Sequence, residues 1–179
     1  MRLQAAKTYL PMAIVILLTL MLMALVVLYF ALSGEVAGFG ELVLGLSPDF
    51  EKYEAADTYD AAYTDGEVIV GVLRLSYDAC AAEGIPTTMP PRAFAEYYRT
   101  LALSGITAGE TRSVGDAVYY TYTATSSLGV SFTYMPTFYF SPYAYFVVTY
   151  IVPTERFPAR EAELLSYAEG TKIQPSRVE

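Results

Sequence analysis

Histidine, tryptophan and asparagine are absent from this chain, and it has a single cysteine, Cys80. Each absence excludes chemistry. Without histidine there is no Ser-His-Asp or Cys-His catalysis and none of the usual zinc chemistry. One cysteine allows no intramolecular disulfide and no thiolate cluster. Cys80 sits in Tyr-Asp-Ala-Cys-Ala-Ala with no basic neighbour to lower its pKa, so an inert, packed thiol is expected. Without asparagine there is no Asn-x-Ser/Thr glycosylation site. Basic residues are also scarce, 11 Lys and Arg against 19 Asp and Glu.

What is present first is a long apolar run. Residues 11–32 carry no charge and reach the roughly 20 residues that a helix needs to cross a hydrocarbon core about 30 Å thick. A cleaved signal peptide is the competing reading. Arg2 and Lys7 supply a basic start and Ala31-Leu32-Ser33 a cleavage-like site, but the run exceeds an h-region of about 7 to 15 residues. A retained transmembrane helix, in contact with the lipid bilayer through 11–32, is therefore expected. Arg2 and Lys7 precede the span, and no Lys or Arg follows until Lys52. The positive-inside rule then makes 1–10 a cytoplasmic N-terminus and places the C-terminal domain outside, as a single-pass protein of the cell membrane.

Setting Arg2 and Lys7 aside, the remainder has 9 basic and 19 acidic residues, a net charge of −10. Nucleic acid and anionic lipid headgroups need clustered Lys or Arg, so no nucleic-acid partner is expected. Residues 33–40 contain three glycines and read as a linker. The stretch 41–173 is long enough for one hydrophobic core, and 174–179 reads as a frayed tail.

Within that stretch, strands are expected at 41–46, 59–63 and 68–75, with a turn at Thr64-Asp65-Gly66-Glu67 and a loop over 78–88. Pro90-Pro91 opens a helix whose Phe94, Tyr97, Tyr98 and Leu101 recur at helical spacing, ending at Ser104-Gly105. Strands follow at 118–124, at 130–140 with an interruption at Pro136, and at 143–152, whose near-continuous apolar run suits a strand covered on both faces. A helix over 158–169 presents Leu164, Leu165 and Ala168, with Gly170 as its C′ residue and Ile173 packing back. The fold class is α+β: one antiparallel sheet with two helices packed on it. The predicted core pairs Phe94, Tyr97 and Leu101 and Leu164, Leu165 and Ala168 with Tyr120, Tyr122, Phe132 and Phe146 of the sheet.

Phe94-Ala95-Glu96-Tyr97-Tyr98, Val118-Tyr119-Tyr120-Thr121-Tyr122, Phe132-Thr133-Tyr134 and Tyr143-Ala144-Tyr145-Phe146-Val147-Val148, then a closing helix ending Gly170-Thr171-Lys172-Ile173, form a sequence of elements. This arrangement resembles the PsbP/Mog1-like α/β fold, in particular small membrane-attached or secreted bacterial proteins. Tyr145-Phe146 stands where a Phe-Trp pair is expected, and a membrane span stands where many such relatives have a lipobox cysteine. The resemblance implies membership of a mostly non-enzymatic family, whose members assist larger complexes or have no known role.

No catalytic residue, cofactor or metal is assigned. The acids Asp49, Glu51, Glu54, Asp57, Asp60, Asp65 and Glu67 do not meet EF-hand spacing, and a solvated face is their default reading. Tyrosine is abundant, at 17 residues. Tyr119, Tyr139 and Tyr143 are candidates for an outward, partner-binding face, since tyrosine gives contact area at low entropic cost; against this, tyrosine is also a good strand and core residue. The expected function is a non-enzymatic, membrane-anchored extracytoplasmic domain that binds a protein partner or supports an envelope assembly. The alternative is a small-ligand receptor or enzyme using a carboxylate and tyrosine pocket. A deep pocket with a buried carboxylate would favour the second, and a flat aromatic patch the first.

Overall fold

Ten consecutive strand residues without a charge form the centre of the fold. Strand β10 (Ala144–Pro153) is buried from Ala144 through Tyr150. It lies between β9 (Ser131–Phe140) and β5 (Ile69–Ser76), antiparallel to both. The computed structural model of the chain describes residues 38–54, 58–103 and 106–174. The proposed cytoplasmic segment, the span 11–32, most of the linker, Ser104-Gly105 and the tail beyond Gln174 lie outside them. Among the described residues, no helix is long and apolar enough to cross a membrane.

The sheet continues outward from β5 through β4 (Ala61–Thr64) to β3 (Glu51–Lys52). On the other side of β9 lie β7 (Ala117–Tyr119) and then β6 (Arg112–Val114), with β8 (Tyr122–Thr125) pairing further along β9. The expected single strand over 118–124 is thus split. Its register against β9 does not change across the break, which falls opposite Met135 and Pro136. Proline has no N–H to give to a ladder, so β9 runs through Pro136 unbroken and the pairing lapses on one side.

A smaller sheet is made of β1 (Gly38–Phe39), β2 (Leu42–Val43) and β11 (Lys172–Ile173). The end of the expected linker is therefore a strand, turned back at Gly40, whose φ of 59° suits glycine. Gln174 donates its N–H to the Glu41 carbonyl at 2.7 Å.

Among the described residues, three helices, not two, accompany the sheet. Helix α1 (Tyr77–Ala82) occupies part of the expected loop; the Ser76 hydroxyl accepts the Ala79 N–H at 3.2 Å, a helix cap. Helix α2 (Pro91–Ala102) and helix α3 (Phe157–Gly170) cover opposite faces. On one face Phe94 and Ala95 pack with Cys80, Val118, Tyr120, Phe138, Tyr145 and Val147. On the other, Leu164, Tyr167 and Ala168 pack with Val70, Val72, Met135, Tyr139, Phe146 and Val148. Alternation along β10 distributes its side chains to both faces.

This corrects the predicted core. Phe146 lies on the α3 face and Tyr120 on the α2 face, so the two do not meet one layer of helices. Phe132, Tyr97 and Leu165 are half-buried. Leu101 is 59% exposed; Leu103, just past the helix, fills that end of the core instead. Gly170 ends α3 without a positive φ, and its value is close approach. A Cβ on Gly45 would stand 2.5 Å from the Gly170 carbonyl carbon. The Gly45 N–H meets the Thr171 hydroxyl there at 3.0 Å.

Candidate functional site

The gap in the ladder opposite Pro136 lies on the α2 face, and a cavity of about 120 Å³ opens there. Its floor is strand: Leu73 of β5, Thr149 of β10, Pro136 of β9, and Tyr120 and Tyr122 on either side of the split between β7 and β8. Tyr98 and Leu103 close it from the helix side. Thr58 and Tyr59, which precede β4, complete the wall, and exposed Thr58 marks the open side.

Glycine fixes one wall. The Tyr59 ring lies over Gly71 so closely that a Cβ there would be 2.6 Å from three ring atoms. Tyr122 is held by stacking on Tyr134, with ring centroids 4.8 Å apart and an interplanar angle of 5°. Tyr98 packs edge-on against Phe138 at 5.5 Å, and Tyr120 lies 5.7 Å from the same ring.

The lining contains six hydroxyls, from Thr58, Tyr59, Tyr98, Tyr120, Tyr122 and Thr149, and no Asp, Glu, Lys or Arg. Burial raises the pKa of Tyr59, Tyr98, Tyr120 and Tyr122, the last two strongly. Neighbouring phenols push Tyr59, Tyr120 and Tyr122 further up. All four stay protonated and neutral at physiological pH. Arg99 and Glu96, the charges beside Tyr120, pair with each other at 2.6 Å. Tyr120 itself is 1% exposed, and its hydroxyl has no hydrogen-bond partner among the described residues. Chemically, such a lining can donate and accept hydrogen bonds and stack on rings. It offers no base near neutrality and no activated nucleophile.

The chain shares its fold with a protein from Bacteroides thetaiotaomicron VPI-5482, at 8% identity and a TM-score of 0.52 over 78% of this chain. The chain spans about half of that protein, 47% of its length. LpqN, involved in cell envelope biogenesis of Mycobacterium tuberculosis, aligns at 12% identity and a TM-score of 0.49, over 77% of this chain and 86% of its own. CyanoP, the cyanobacterial PsbP of Synechocystis sp. PCC 6803, aligns at 11% and 0.41, over 76% and 95%. No family model and no curated protein matches the chain. The expected layout is observed: an antiparallel hairpin, β9 and β10, with the Tyr145-Phe146 pair on the second strand, then a closing helix whose tail returns Ile173 to the core. This layout agrees with the resemblance to the PsbP/Mog1-like fold.

In this domain the three candidate tyrosines do not share an outward face. Tyr119 and Tyr139 are each 6% exposed and belong to the α3-side core, where the Tyr139 hydroxyl donates to the Ala168 carbonyl at 2.8 Å. The cause is coverage: both faces of the sheet carry a helix, so the face alternate to Tyr120 is also interior. Tyr143, in the turn between β9 and β10, is 58% exposed. Of the acids, Asp57 lies outside the described residues, and the others are likewise dispersed. Asp65 and Glu67 are held by Arg160 at 2.6 and 2.9 Å, and Asp60 accepts the Arg74 N–H at 2.7 Å. Among the described residues, no three His, Cys, Asp or Glu gather to hold a metal ion. Cys80 is buried, its Sγ 3.8 Å from the Leu75 carbonyl oxygen, and burial pushes its thiol pKa up.

Proposed function

We propose that this chain is a non-catalytic binding domain, anchored by residues 11–32 as a single-pass helix and held outside the cytoplasm, with the tyrosine-lined cavity as its binding site. The observation that carries the binding reading is the lining itself. It has six neutral hydroxyls and no ionised group, in a partly enclosed space beside the aromatic core under α2. Of the two sequence expectations, it favours a small-ligand receptor, without the carboxylate that expectation included. A protein partner at the β9–β10 turn is the second reading, favoured by the exposure of Tyr143. Support for the anchor is the uncharged run and the basic residues before it.

Two arms test this on the full-length chain. Cys80 is buried, so an added cysteine at exposed Ser127 supplies the reactive thiol. In intact cells a membrane-impermeant maleimide should label Ser127→Cys and spare Gln4→Cys. The opposite pattern contradicts the topology. For the site, saturation-transfer NMR of a mixed small-molecule library against the chain in nanodiscs should give hits that Gly71→Ala abolishes. Hits indifferent to Gly71→Ala place binding elsewhere.

A further inference from the structure

We infer that the end of the α2 face of the sheet, beyond the cavity, is an interface with a second copy of this chain. The interface and the cavity share only Tyr122, and neither depends on the other.

Register defines the surface. Tyr122, Tyr134, Ile151 and Ile69 form one row across β8, β9, β10 and β5, each the Cα partner of the next. The row beyond it is Ala124, Phe132 and Pro153. Partners in an antiparallel ladder share a face. Here it is the α2 face, since Tyr134 and Ile151 stand an even number of residues from Phe138 and Tyr145 of that core. Helix α2 packs at the other end of the face, where Phe94 and Ala95 meet Phe138, Tyr145 and Val147. Phe132, Tyr134, Ile151 and Ile69 belong to neither core cluster. Burial alternates accordingly. Thr133 and Val152 on the α3 side are buried, while Phe132, Tyr134, Ile151 and Pro153 are half-buried. At the tip of the β8–β9 hairpin, Val130 is 46% and Leu128 89% exposed.

Charge points to the occupant. No Asp, Glu, Lys or Arg occurs between Asp116 and Glu155, so β8, β9 and β10 bring none to this face. At the same end of the sheet, Asp65 and Glu67 of the β4–β5 turn are paired with Arg160 of α3. Beyond Lys7 the chain has 9 basic against 19 acidic residues, so its copies repel each other. Like charges set together across an interface are costly. An uncharged face is where two such copies meet without that cost, whereas a basic partner protein would be drawn to the acidic surface. Symmetry agrees, because a two-fold pair uses one self-complementary patch, and apolar sheet faces pack on each other.

Size sets the strength. Four strands and about six residues along them give a patch of roughly 20 by 20 Å, or about 400 Å² per copy. That falls below the roughly 1,200 to 2,000 Å² in total of a standard stable interface. The pair is therefore weak, and it is to be detected in the cell by covalent capture.

The test co-expresses two full-length copies with different tags, each carrying the photo-crosslinker benzoylphenylalanine in place of Phe132. Phe132 stands near the middle of the patch, so its two copies should approach to roughly 10 Å, the packing distance of two sheets. Irradiation of intact cells should give a product of twice the chain mass that carries both tags. The same crosslinker in place of Tyr143, at the opposite end of β9, should give at least about fivefold less of it. Val130→Glu sets two carboxylates into the interface and should lower the Phe132 yield at least about fivefold. Val130→Thr, of similar shape and uncharged, should leave it within about twofold. Near-ultraviolet circular dichroism of both variants should match wild type, because Val130 is exposed.

A Phe132 adduct only with another protein, or only with lipid, overturns the inference. So does a two-tag product that forms equally from Tyr143, or one that Val130→Glu leaves unchanged. Absence of any two-tag product from Phe132 overturns it as well.

Discussion

Leu164→Ala isolates the α3 side of the core. Leu164 is fully buried in the middle of α3, against the layer that includes Met135, Phe146 and Val148. Truncating a fully buried leucine removes its transfer energy and leaves a cavity, together about 2 to 5 kcal/mol. For a domain with a margin of about 5 to 15 kcal/mol this is a large fraction. At roughly 4 °C per kcal/mol for a domain of this size, the melting midpoint should fall by about 8 to 20 °C. The matched control is Leu101→Ala. That leucine sits on the helical stripe of α2 but is 59% exposed, so its truncation should change stability by no more than about 0.5 kcal/mol. Near-ultraviolet circular dichroism reports the difference, because the signal comes from packed tyrosines in a chain without tryptophan. A Leu101→Ala midpoint that falls as far as that of Leu164→Ala would refute the placement of the two helices.

The remaining predictions concern charge and the lone thiol. At Asp65 burial alone would raise the pKa, but hydrogen bonds from the Val68 N–H and Arg160, with the Glu67 N–H, outweigh it and lower the pKa. A depressed folded-state pKa stabilises above the ordinary aspartate value of about 3.9, and the contribution is lost as pH falls through the lower folded value. Asp65→Asn should therefore be less stable than wild type at neutral pH, and the gap should close on acidification; a gap constant with pH in denaturant melts contradicts this. Cys80→Ser should cost on the order of 1 kcal/mol, and the native thiol should label slowly with a maleimide in folded protein. Rapid labelling of wild type contradicts a packed Cys80.

Much of the layout is legible in the residues because local signals agree there with the tertiary structure. The uncharged run at β10 announces a strand buried on both sides, and Pro90-Pro91 marks the start of α2. Failures occur where one signal has two meanings. Alternation at Tyr119 and Tyr120 separates two faces but does not say that both are interior. Helical spacing puts Leu101 under the stripe of Phe94, yet Leu103 takes the core position. Ser76 followed by Asp78 is a cap signal in a stretch read as loop, and it marks α1. The cavity was out of reach for another reason. It joins Tyr59, seated on Gly71, with Tyr120, Pro136 and Thr149, which are far apart in sequence and brought together by the strand order β4-β5-β10-β9-β7. Its traces in the sequence are a glycine inside a β-branched run and a proline inside a strand, two features that mark close approach or a broken ladder.

The central claim is that the space beneath Tyr59 is a binding site for a small molecule. Crystals of the protein grown with and without a hit from the small-molecule library test it most directly. Ligand density between the tyrosine walls is the expected result. A chain of ordered waters in both crystals, or a Tyr59 ring collapsed onto Tyr98 with no space left, would contradict it.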